Sequence, residues 1–187
     1  MLKSLAEAVL YNASNDPEKT CESIGNLLNN HQDELGFVNS MGMLVMLANN
    51  LVKMGRFDEA ENILAGVVNN PGVREHAPEQ LMAVLDQTYD KTSIYKGHPA
   101  TQMVYGLQES TVTYELEGNL RVEAELSDKP MSFMLDTGAD CQGFVSKEIA
   151  QQYGVRIIGD SISIGGATHT GDRYIGVADS VKLGGIT

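Results

Sequence analysis

Apolar positions in the first half of the chain recur at helical spacing: Leu2, Leu5, Ala6, Val9 and Leu10, then Cys21, Ile24, Leu27 and Leu28. Between the two sets, Asp16-Pro17-Glu18 reads as a helix start. An aspartate acceptor there precedes a proline at the first helical position, where its missing N–H removes no bond. The pattern predicts a helical hairpin. A longer helix follows over about 37–54, stops at Gly55, and gives way to another over 57–68 that Asn69, Asn70, Pro71 and Gly72 close. The stretch 78–95 reads as a final helix.

From Thr111 the period changes to two. Val112, Tyr114 and Leu116 alternate with polar residues, as do Leu120, Val122, Ala124 and Leu126. Gly118-Asn119 and Asp128-Lys129-Pro130 supply turns, the second leading into an apolar strand over 131–135. Glycine rises from 7 in the first 100 residues to 12 in the remaining 87. The reading is an α+β chain of two domains: helical over 1–97, a linker over 98–110 centred on GHPATQMVYG, and an all-β domain over 111–187.

Within the helical half, Ala48, Leu51, Gly55, Ala60 and Leu64 resemble a tetratricopeptide-type hairpin, with Val67 where another small residue is usual. Small residues let paired helices approach closely, and the glycine ends the first of them. Residues 2–30 resemble a degenerate partner. The resemblance implies TPR-like hairpins acting as a peptide-binding or dimer-forming scaffold, or a domain that only packs. So few repeats favour the second reading. Met41, Met43, Met46 and Met54 fit core filler better than an adaptable groove.

The formal charge of -12 divides evenly, with 7 Lys/Arg against 13 Asp/Glu in residues 1–100 and 6 against 12 in residues 101–187. Neither half offers a basic face for nucleic acid or anionic lipid. Cys21 and Cys141 lie far apart without a CxxC, which suits two free thiols. No apolar run is long enough to span a bilayer, and the residues after Met1 lack a signal peptide's apolar core. Cytoplasmic residence and export after signal removal both fit this composition.

The chemistry concentrates in FMLDTGADCQGFVS, residues 133–146. An apolar strand that runs straight into Asp136 carries a carboxylate from a rigid element to a loop. Thr137 offers a short hydroxyl to lock that loop, Gly138 permits close backbone approach, and Ala139 keeps the site small. Ser146 is a helix N-cap for 147–153, which Gly154 ends.

These residues resemble the active-site strand and loop of retropepsin-like aspartic proteases, in which two apolar residues precede Asp-Thr-Gly-Ala. The preceding hairpin, the short helix and the glycine-rich SIGGATHTGD at 163–172 follow the family's order. The resemblance covers about 111–187 and implies an acid-protease barrel with one short helix. It implies that Asp136 is catalytic, that Thr137, Gly138 and Ala139 form the active-site loop, and that Asp140 accepts hydrogen bonds from the substrate backbone. Gly165, Gly166, Ala167, Thr168 and His169 would form the tip of a flap, its glycines offering N–H groups to a peptide or protein substrate, while His169 itself fits an exposed loop residue without a role. One Asp-Thr-Gly motif per chain implies a homodimer in which two copies of Asp136 face each other. The resemblance implies no metal or organic cofactor.

The family continues past the flap to a further apolar-apolar-Gly segment, a helix and a terminal strand. Leu183-Gly184 comes too early for that segment, so the reading expects a barrel truncated at its C-terminus and a single hairpin strand over 173–183. The competing reading is a non-catalytic assembly module, with a helical scaffold and a degenerate protease-like dimerisation unit. The intact Asp-Thr-Gly-Ala favours catalysis.

Overall fold

A computed structural model describes residues 1–102, 104, 106, 111–112, 114–115, 120–135, 143–159, 162–165 and 170–187. The chain forms two compact units, Met1–Thr101 and Gln102–Thr187.

The first unit is helical: α1 (Leu2–Ala13), α2 (Pro17–Leu35), α3 (Phe37–Lys53), α4 (Phe57–Val68), α5 (Pro71–His76) and α6 (Glu79–Ser93). Asp16 caps α2 as its sequence suggests, its carboxylate accepting from the Lys19 backbone N–H at 3.2 Å and the Lys19 ammonium at 2.8 Å. Gly36 and Gly55 take the left-handed conformation that lets the chain reverse, with φ of 72° and 71°. Each helix packs on its predecessor from α1 to α4, and α6 then packs on α4. Helix α5 departs from the sequence reading, in which Asn70 and Pro71 only close α4: Asn70 accepts from the backbone N–H of Gly72 and Val73 and opens a new helix, as Asp16 does before Pro17.

Burial repeats along the first four helices. Ala8, Thr20, Ile24 and Leu27 are buried, and so are Ala48, Ala60, Leu64 and Val67, each 40 positions later. One core cluster joins Met41, Val67, Val68, Val73 and Leu85; another joins Ala48, Leu51, Ala60 and Leu64, with Met54 packed against it. Met41 and Met54 therefore act as core filler.

After α6 the chain doubles back along α4. Tyr95 stacks on Phe57 with ring centroids 5.1 Å apart, and the Lys96 ammonium donates to the buried carboxylate of Glu61 at 2.9 Å. The Tyr89 hydroxyl donates to the same carboxylate at 3.3 Å. The Gly97 N–H donates to Asp58 at 3.4 Å, and a Cβ placed on Gly55 would run into the Ala100 methyl. Gly97 and Ala100, in the stretch whose composition resembles a linker, thus lie against the helical unit.

The second unit contains β1 (Tyr114–Glu115), β2 (Arg121–Leu126), β3 (Lys129–Met134), α7 (Lys147–Gln152), β4 (Arg156–Ile157), β5 (Ile162–Gly165), β6 (Thr170–Arg173), β7 (Gly176–Val177) and β8 (Val181–Lys182). Strand β3 pairs antiparallel along the whole of β2, while β1 and β8 pair with the two ends of β2 on its other edge. The alternation in β2 is as the sequence predicts, with Val122 and Leu126 buried and Arg121 and Glu123 exposed. The turn is tighter than predicted, since Ser127 and Asp128 alone make it at positive φ and Lys129 and Pro130 already belong to β3.

The single strand expected over 173–183 is three pieces. Strand β6 pairs with β5, β7 with β4, and β8 with β2, because successive stretches of the chain serve different partners. A further antiparallel pairing brings the start of the unit to its last residues. Val104 and Thr187 exchange backbone bonds at 2.6 and 2.9 Å, and the Gly106 N–H donates to the Gly185 carbonyl at 2.8 Å.

Candidate active site

Asp136, Thr137, Gly138, Ala139 and Asp140, together with Cys141, lie outside the described residues, as do Gly166, Ala167, Thr168 and His169. The elements on either side of them are described.

Strand β3 delivers the chain to Asp136 under full ladder control. Phe133 and Met134 pair with Val122 and Arg121, and the Leu135 N–H donates to the Leu120 carbonyl at 2.8 Å, so hydrogen bonding reaches the residue just before the aspartate. Phe133 is half-buried, whereas Met134 and Leu135 are exposed at 56% and 49%.

After residue 142, Phe144 and Val145 are exposed at 54% and 36%, and Ser146 then caps α7. The Ser146 hydroxyl accepts from the Ile149 N–H at 3.3 Å. Glu148 sits in the first turn, where its own backbone N–H and then the Ser146 hydroxyl hold its carboxyl below the usual range. Ala150 is buried, and Gly154 closes the helix at φ 72°.

The C-terminal end of α7 is tied back to the start of β3. Lys129 donates to the Gln152 carbonyl at 2.7 Å, and its ammonium lies 5.7 Å from the centre of the Tyr153 ring. The Tyr153 hydroxyl donates to the Pro130 carbonyl at 3.0 Å. The C-terminal end of α7 is therefore anchored at the start of β3, whose other end precedes residues 136–142 in the sequence. The sequence reads Lys129 only as part of a turn and Tyr153 only as the end of a helix, so neither tie is legible in it. Tyr153, set between a short helix and its closing glycine, was the available signal.

Strands β5 and β6 pair antiparallel through four residue pairs from Ile162↔Arg173 to Gly165↔Thr170, so Gly165 and Thr170 form the last pair of the described ladder. Its base is fixed by β4 and β7 and by the Ile158 N–H donating to the Ile175 carbonyl at 2.9 Å. Gly176 is required there, because a Cβ would meet Val155 Cγ1 at 2.9 Å. Among the described residues, no cluster of His, Cys, Asp and Glu could hold a metal ion, and no helix is long and apolar enough to cross a membrane.

Strand β3, the short capped helix α7 and the β5–β6 pair flank segments 136–142 and 166–169 in the sequence. Residues 122–187 match the family described as aspartyl protease, a range that includes the Asp-Thr-Gly-Ala sequence and strands β5 and β6. No curated protein and no solved structure matches the chain.

Proposed function

We propose that the protein is an aspartic endopeptidase, with Asp136 as its catalytic carboxylate. The observation that supports this reading is the aspartyl protease match over 122–187, a range that includes Asp-Thr-Gly-Ala in the sequence. The chain has one such motif, so the reading pairs Asp136 with Asp136 of a second copy.

Two carboxylates at contact distance cannot both ionise, so the pair shares one proton and titrates as a unit. The ionised member takes a proton from water as the water attacks the scissile carbonyl, and the protonated member donates to the carbonyl oxygen. Thr137 and Gly138 support the facing loops and Ala139 leaves room for substrate. Asp140 accepts from the substrate backbone, and Gly165, Gly166 and Ala167 form the cover that closes over a peptide or protein substrate. The helical unit is a TPR-like scaffold joined to this protease.

The test compares the chain with its Asp136→Asn variant on a diverse peptide mixture from acid to neutral pH, with products read by mass spectrometry. Loss of an acid–base group predicts that cleavage falls by about 10²-fold or more. Equal cleavage by the two proteins, both shown to be folded by circular dichroism, overturns the assignment.

A further inference from the structure

Two links of unequal length carry the β5–β6 pair. At its foot the ladder ends with Ile162↔Arg173, and below that the Ile158 N–H donates to the Ile175 carbonyl at 2.9 Å. Residues 159–161 separate these two anchors on one side, whereas Tyr174 alone separates them on the other. A one-residue link has a single φ and a single ψ to turn. The conformation of Tyr174 therefore sets the angle at which the pair leaves the unit, and the longer side follows.

Helix α7 holds that residue. The Lys147 ammonium lies 5.1 Å from the centre of the Tyr174 ring, within the range of a cation–π contact. Lys147 is the first residue of α7, where a cation opposes the helix dipole, so the helix itself gains nothing from a lysine there. The half-exposed Tyr174 ring supplies the attraction that the helix does not.

The other end of α7 is fixed. Its Gln152 carbonyl accepts from Lys129, the Tyr153 hydroxyl donates to Pro130, and the Val155 N–H donates back to the Ala150 carbonyl at 2.8 Å. Val155 leads directly into β4, which pairs with β7 just beyond Tyr174. The helix thus joins the start of β3 to the foot of the β5–β6 pair.

We propose that Tyr174 is a positioning residue for substrate capture: held by Lys147, it sets the angle of the β5–β6 pair, which leads to residues 166–169. The inference rests on the protease reading above, in which Gly165, Gly166 and Ala167 close over the peptide. Tyr174 touches no reacting atom and acts through the ladder. Loosening the joint lets the pair adopt orientations that do not capture substrate, and apparent affinity falls in proportion to the fraction that stays competent. KM rises, while kcat, which describes substrate already held, does not change. An exposed cation–π contact corresponds to a shift of about two- to fivefold in such an equilibrium.

The experiment takes two readouts from the full chain. Hydrogen exchange of the amides in Ile162–Gly165 and Thr170–Arg173 is expected to quicken by about two- to fivefold in Tyr174→Ala and in Lys147→Met, with the β2–β3 amides unchanged. Tyr174→Phe and Lys147→Arg keep the parent rates, and the double variant Lys147→Met/Tyr174→Ala exchanges no faster than either single one. Peptide cleavage by the same variants shows KM raised by the same factor at constant kcat, and parent values in the two conservative variants. Parent exchange rates in Tyr174→Ala and Lys147→Met, additive effects in the double variant, or a fall in kcat at constant KM each overturns the proposal. A parent chain that cleaves no peptide removes the protease reading and the capture role with it, whereas intact cleavage with unmoved exchange removes the joint alone.

Discussion

Truncating Leu64 to alanine tests whether the helical core is built as its repeat implies. Leu64 is fully buried in a cluster with Ala48, Leu51 and Ala60, and Leu47, Val52, Ile63 and Tyr89 pack around it. Three carbon groups leave the core, each carrying about 0.8 kcal/mol of transfer free energy, so the transfer contribution is about 2.4 kcal/mol. The helices at this point already touch through alanines and have little side chain left to move inward. Part of the void therefore persists, and a total near 3 to 4 kcal/mol follows. Urea unfolding followed by circular dichroism at 222 nm reads the effect, because six of the seven described helices lie in this unit. With a slope of about 1–3 kcal/mol per molar urea, the midpoint falls by about 1–4 M. A loss under about 1 kcal/mol would show that Leu64 is not the keystone the packing makes it.

Gly55→Ala forces a side chain into a positive φ of 71° and against the Ala100 methyl, so it lowers the same urea transition by about 2 kcal/mol or more; an unchanged midpoint refutes the close approach of the returning segment. Ser146→Ala removes the acceptor for the Ile149 N–H and costs about 1 kcal/mol in the β unit, measured by hydrogen exchange of α7 amides; unaltered protection refutes the cap. Because the folded Glu148 carboxyl titrates below its usual range, its contribution is complete above the ordinary glutamate value and disappears as pH falls through the folded value. The advantage of the parent over Glu148→Gln in α7 protection is therefore present at neutral pH and lost in acid; an advantage that grows in acid contradicts the assignment.

Local signals carried much of the fold. Asp16-Pro17, Gly55 and the sequence from Ser146 to Gly154 specify helix ends through contacts spanning a few residues, and each sits where the pattern puts it. Asn70-Pro71 carries the same start signal as Asp16-Pro17 but follows a finished helix, so its stopping sense hid its starting sense. Long-range partners leave weaker traces. Nothing adjacent to Lys96 announces Glu61, 35 residues earlier, and nothing in 173–183 marks where the chain exchanges β5 for β4 and then β2 as its neighbour. At the candidate site, the Asp-Thr-Gly-Ala string is legible by itself. The tie from Lys129 to Gln152 that braces its surroundings spans 23 positions and emerges only in three dimensions.

The ladder joining Val104 and Gly106 to Thr187 and Gly185 gives the β unit a mechanical polarity. Tension applied between the helical unit and Thr187 pulls on both strands from the same end of that ladder. Its bonds then share no load and open in turn, first the two between Val104 and Thr187 and next the one from Gly106 to Gly185. Strand β2 is held along its full length by β3 and lies beyond this seam, so a stretched molecule parts at the seam like a zip before the sheet beneath it yields.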